Sequence, residues 1–171
     1  MLQVAESIFN SVIRYGIALY LKPVFEVEEV KARNLSVEAR KLRTIQNKMI
    51  RMIFGFRVED KVNMEELREK IGMLSVNQMN CYHVLLEAFN VIRNGSSVKI
   101  QDKWKKNFNQ YSNRRLNDVK VPKVNHTRCE GFSYYGAKFW NSLPEELKGI
   151  TNPDTFKVKV KEFFLETIPS F

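Results

Sequence analysis

Two cysteines and two histidines are the first residues that could do chemistry: Cys81 and His83 stand two apart, His126 and Cys129 three apart. Two thiolates and two imidazoles are the donor set of a structural zinc site. The first spacing works against that use, because helix positions two apart point about 200° away from each other. Packing or surface roles suit both histidines better. Cys129 lies beside Arg128 and three residues after His126 but lacks a third group to orient a thiol nucleophile. The four aspartates, Asp60, Asp102, Asp118 and Asp154, include no close pair to hold the divalent ions of a polymerase or nuclease. Glu65-Glu66 and Glu145-Glu146 read as first turns of helices, where the macrodipole favours acids, and Glu28-Glu29 as part of a connection. There is no phosphate-cradling Gly-rich loop, no Gly-x-Ser-x-Gly elbow and no Cys-x-x-Cys. The expectation is a protein that is no enzyme and uses no metal or cofactor.

Positive charge is the feature with direction. Twenty-eight Lys and Arg against nineteen Asp and Glu give +9 and a pI near 9.6, which favours an anionic partner such as nucleic acid. The excess is segregated. Residues 31–57 carry Lys31, Arg33, Arg40, Lys41, Arg43, Lys48, Arg51 and Arg57 against Glu38 alone, and residues 99–128 carry nine cations against Asp102 and Asp118. Each run is locally +7, and the rest of the chain is net negative, which fits an electrostatic footprint better than general solubility, with solvated faces as the competing reading. In the second run Lys105, Lys106, Arg114, Arg115, Lys123 and Arg128 are the candidate phosphate contacts. Trp104 among them is a candidate base-stacking ring, with an anchoring role in the core as the competing reading.

These residues have to be positioned by helices. Residues 2–21 place Val4, Ile8, Val12 and Tyr15 at helical spacing, and Lys22-Pro23 ends that pattern. Phe25–Val30 alternates apolar and acidic residues, as a short strand or an irregular connection would. From Ser36 to Phe54, Leu42, Ile45, Met49, Met52 and Phe56 fall with Ile53 in one apolar arc, and Arg40, Arg43, Asn47, Lys48 and Arg51 in the opposite one. One face would dock on a core and the other would meet a phosphate backbone. Asn63 with Glu66 caps a short helix that Gly72 closes, and Ser75 with Gln78 forms a capping box for a helix over 76–93 ended by Asn94-Gly95. A helical turn or two near Trp104 leads into an extended basic loop over 109–128. Phe132–Gly136 reads as a short extended piece before a helical turn at 137–142. Ser142 with Glu145 signals another start, and Asn152-Pro153 opens a last helix bearing Phe156, Val160, Phe163 and Phe164.

The fold class expected is mostly α: an irregular bundle of about five to six helices with an extended segment near 132–136 and the basic loop near 109–128. A single helical domain over 1–171 is expected, with a subdivision into 1–95, 96–128 and 129–171 as its finer form. At 171 residues and 44% hydrophobic the chain can bury a core. It has no apolar run long enough for a membrane span and too few cysteines for a disulfide scaffold, so no membrane partner and an intracellular location, cytoplasm or nucleus, are expected.

Several segments resemble the C-terminal, post-palm region of reverse transcriptases from non-LTR retrotransposons, Jockey- and CR1-like LINE elements in particular. They are Ser11–Tyr20 (SVIRYGIALY), Ile45–Phe56 (IQNKMIRMIFGF), Ile71–Val76 (IGMLSV), Thr127-Arg128, Phe132–Leu147 (FSYYGAKFWNSLPEEL) and Phe156–Leu165 (FKVKVKEFFL). The resemblance implies a helical, thumb-like region that grips template and primer, with Arg40, Arg43, Lys48 and Arg51 toward a duplex backbone. The palm's Tyr-x-Asp-Asp motif is absent, as are an endonuclease domain and the Cys/His knuckle of some elements, so polymerisation by this chain alone is not implied. The expected partners are RNA or an RNA–DNA hybrid and the palm of a parent reverse transcriptase. A degenerate remnant without independent function, or self-association through residues 2–21, are the alternatives.

Overall fold

Seven helices and no strand occur among the residues that the computed structural model describes: Ser7, Ser11, 37–104, 117–123 and 131–167. The helices are α1 (Val37–Phe54), α2 (Met64–Lys70), α3 (Val76–Asn94), α4 (Val98–Lys103), α5 (Phe132–Ser142), α6 (Glu145–Lys148) and α7 (Pro153–Thr167). The mostly α reading holds. The expected helix over 2–21, the 25–30 segment and the basic stretches 105–116 and 124–130 lie outside the described residues. No helix among those described is long and apolar enough to cross a membrane.

Local signals set the helix ends. Gly55 and Gly72 both adopt positive φ, which a side chain resists. After α1, Phe56 N donates to Arg51 O (2.9 Å) and Gly55 N to Met52 O (3.4 Å); after α2, Met73 N donates to Arg68 O (2.9 Å) and Gly72 N to Glu69 O (3.0 Å). Both are Schellman endings that satisfy the last carbonyls. Asn63 Oδ1 accepts from Glu65 N and Glu66 N, and Asn152 Oδ1 from Asp154 N and Thr155 N. The capping box forms as expected: Ser75 N donates to Gln78 Oε1 (2.8 Å) and Gln78 N to Ser75 Oγ (3.3 Å). Ser142 does not cap α6. Its hydroxyl donates back to Phe139 O (2.8 Å), and Pro144 stands at the cap position.

The chain divides into two compact units, Met1–Cys81 with Phe163–Phe171, and Tyr82–Glu162. The boundary follows packing and falls inside α3 and α7, where the sequence offers helix stops only at Gly95 and beyond. In the first unit, α1 buries Ala39, Gln46 and Ile50. Gln46 Nε2 donates to Leu74 O (2.8 Å) in the buried link Met73–Ser75, and Gln78 Nε2 donates to Phe164 O (3.0 Å). This corrects the expected orientation of α1. At 100° per residue the stripe Ala39, Gln46, Ile50 lies about 90° from the arc of Leu42, Ile45, Met49 and Met52, and Ile45 and Met52 are exposed. The reason is the backbone: residues 73–75 have no ladder partners, so a buried carbonyl there needs a side-chain donor, and Gln46 turns inward to supply it.

The second unit is built on aromatic packing. Phe89 stacks on Phe156 (centroids 4.3 Å), which also meets Trp140 (5.9 Å), and Phe139, Leu143 and Val160 complete the core. Residues 132–136 are the first turns of α5, contrary to the extended piece expected. The β-favouring run Phe-Ser-Tyr-Tyr is overruled by packing, since only a helix brings Gly136 and Ser133 together under one indole ring.

Candidate nucleic-acid interface

α1 carries five basic residues and the single acid Glu38. The structure sorts those cations into two kinds. Arg40 and Lys48 are exposed, and so is Lys41, which wheel position alone did not single out. Among the described residues no carboxylate pairs with any of the three. Arg43 and Arg51 are committed to the fold. Arg43 Nη2 donates to Glu65 Oε1 at 2.7 Å, a half-exposed pair that ties α1 to α2. Arg51 Nη1 donates to Arg57 O, and Nη1 and Nη2 both reach Asp60 O at 3.2 Å, so this guanidinium fastens the turn after α1. Of the expected ridge of Arg40, Arg43, Lys48 and Arg51, the structure thus leaves Arg40 and Lys48 exposed, adds Lys41 beside them, and engages Arg43 and Arg51 within the fold. With Gln46 inside, the wheel puts Lys41 and Lys48 directly outside, and no local sequence signal marks Gln46 for that place.

Where α1 meets α2 lies a buried cation. Arg68 has no exposed surface; Nη1 donates to Asn47 Oδ1 (2.8 Å) and Nη2 stands 4.0 Å from Glu65 Oε1. Burial, and then the charge of Arg43, lowers its pKa, with Glu65 and Glu69 opposing. Asn47 therefore faces α2, not a ligand.

Trp104 is 2% exposed, and its Nε1 donates to Ser133 O at 2.6 Å while the ring packs on Phe132 and Gly136. Its ring is not available to stack on a base, and the anchoring role is the one found. Of the second basic run, Lys123 is exposed, and Lys105, Lys106, Arg114, Arg115 and Arg128 lie outside the described residues. What precedes Lys123 is pinned: Val119 N donates to Asn141 Oδ1 (2.9 Å), Asn141 Nδ2 to Val119 O (2.8 Å), and Trp140 Nε1 to Asn117 O (2.9 Å). The buried Lys148 Nζ binds Asp118 Oδ1 (2.6 Å), Asn141 O (3.0 Å) and Glu145 Oε1 (3.1 Å).

No group of three or more His, Cys, Asp or Glu suited to a metal occurs among the described residues. His126 and Cys129 lie outside them. Cys81 is buried, which pushes its thiol up to about 12. That keeps it protonated and a poor zinc ligand or nucleophile at neutral pH. His83 packs edge-on against Tyr82 (5.5 Å). Compared with protein-family models, with curated proteins and with solved structures, the chain matches none.

Proposed function

We propose that this protein is a non-catalytic nucleic-acid-binding region, resembling the post-palm part of a LINE-type reverse transcriptase, that holds RNA or an RNA–DNA hybrid by its phosphates. The observation that carries this reading is the outer face of α1, where Arg40, Lys41 and Lys48 are exposed while the remaining cations of the helix are spent on the fold. Arg40 and Lys48 stand about 12 Å apart along the axis, three to four nucleotide steps of a duplex strand. Contacts of this kind favour the polyanion over any sequence, and a palm-bearing polypeptide would supply the chemistry.

The test is a salt series of anisotropy titrations with an RNA–DNA hybrid. The triple variant R40E/K41E/K48E is expected to fold normally and to lose nearly three from the log–log salt slope, at ~0.9 per phosphate contact. An unchanged slope removes α1 from the interface, and shallow, weak binding by the unaltered protein rejects the reading altogether. Arg43 and Arg51 are unsuitable for this test, because their reversal would break the ties to Glu65 and to the 57–60 turn.

A further inference from the structure

Thr44 is the one uncharged polar residue among the exposed positions of α1. Along the axis it stands midway between Arg40 and Lys48, about 6 Å from each. Round the helix it lies between the cations as well, about 40° from Arg40, about 40° from Lys48 and about 60° from Lys41. Its hydroxyl donates to Arg40 O of its own helix (2.9 Å). That carbonyl takes an amide hydrogen in the regular helix ladder, and threonine divides between two rotamers in a helix, so the hydroxyl can turn to another acceptor at little cost. The groups that would oppose an anion here stand off the arc. Glu38 is about 120° round the helix from Thr44, and Glu65 is held by Arg43, about 100° round on the other side. The exposed apolar chains leave the middle open too: Ile45 and Met52 line the edge beyond Lys41, and Val37 stands about two turns away at the start of the helix.

We infer that Thr44 Oγ donates to the phosphate lying between those held by Arg40 and Lys41 and that held by Lys48, and so fits α1 to a strand of regularly spaced phosphodiesters rather than to any polyanion. The inference rests on the nucleic-acid reading above and narrows it. Long, flexible lysine and arginine chains follow negative charge at any spacing. A threonine hydroxyl sits on a short branch and reaches only an anionic oxygen that passes over its own turn. A phosphodiester strand carries one anion per nucleotide step, so it places one there when the cations at both ends are engaged.

The test measures the unaltered protein, T44V and T44S against an RNA–DNA hybrid and against heparin, each across a salt series. Position 44 is exposed, and an unchanged urea midpoint confirms that both variants are folded. T44V, which keeps the branch and loses the hydroxyl, is expected to bind the hybrid roughly 2- to 12-fold more weakly, the range for losing one net hydrogen bond. Its log–log salt slope should be unchanged, because a hydroxyl neutralises no phosphate and releases no counterion. T44S keeps the hydroxyl and should bind the hybrid within twofold of the unaltered protein, and heparin binding should change less than twofold in both variants. Unchanged hybrid binding by T44V, or an equal loss in T44V and T44S, overturns the contact, while a slope reduced in R40E/K41E/K48E leaves the phosphate reading standing. An equal loss for hybrid and heparin in T44V overturns the selection of phosphodiester spacing. Absence of salt-dependent hybrid binding by the unaltered protein overturns both readings.

Discussion

Replacing Gly136 by Ala separates two physical effects of opposite sign. Gly136 sits inside α5, where exchange for Ala ordinarily stabilises a helix by about 0.5–1 kcal/mol. Here the added Cβ would stand 2.7 Å from Trp104 Cη2, 3.0 Å from Cζ2 and 3.2 Å from Phe132 Cε2. Relief needs the indole to retreat by roughly 1 Å to reach ordinary van der Waals separation. The ring is buried and pinned through Nε1 to Ser133 O of the same helix, so retreat strains a hydrogen bond or opens the core. Overpacking of this kind costs about 1–3 kcal/mol. The net expectation is destabilisation by about 1–2 kcal/mol, or a fall in Tm of roughly 2–8 °C for a chain of this size. Urea unfolding followed by tryptophan emission measures it, since Trp104 and Trp140 both report on this unit. Trp104→Phe trims the clashing edge, so G136A should cost less on that background, and the cycle gives the coupling directly. A Gly136→Ala protein as stable as the parent, or more so, would refute the placement of Trp104. Trp104 would then again be a candidate stacking ring.

Two further perturbations test the buried polar groups. Arg68→Met is expected to be near neutral, because Nε and Nη2 lack hydrogen-bond partners, Glu65 keeps Arg43, and the desolvation escaped offsets the lost bond to Asn47 Oδ1; Lys148→Met should cost ~2 kcal/mol in urea melts, since it strips the part-buried Asp118 of its 2.6 Å partner and unfastens residues 117–119. A loss above ~3 kcal/mol for Arg68→Met would show that its charge is properly paired. Cys81 supplies a pH dependence: burial raises its pKa from 9.0 to about 12, so the folded state holds a proton that the unfolded chain releases. This stability is complete below pH 9 and is lost as pH climbs toward 12, at roughly 1 kcal/mol per pH unit. Urea midpoints between pH 8 and 11 should therefore fall less steeply in Cys81→Ala than in the parent, and parallel curves would show the thiol to be accessible.

What the sequence determined by itself was where helices begin and end. Gly55, Asn63, Gly72, the Ser75–Gln78 pair and Asn152-Pro153 act through hydrogen bonds and φ preferences that span at most five residues, so their meaning is complete in a short window. The segregation of charge was legible for the same reason. What only the tertiary structure decided was which way those helices face and which cations are left over. Apolar spacing pointed Leu42, Ile45 and Met52 inward, yet Gln46 took the buried place because a carbonyl 28 residues away needed a donor. Four arginines and lysines of one helix looked equivalent until Glu65 claimed Arg43 and the 57–60 turn claimed Arg51. Trp104 stood among lysines in sequence, and Ser133 and Gly136, about thirty residues on, made it core. Each of these outcomes turns on a partner distant in the chain, and hydrophobic period carries no record of which buried polar group must be satisfied, or by whom.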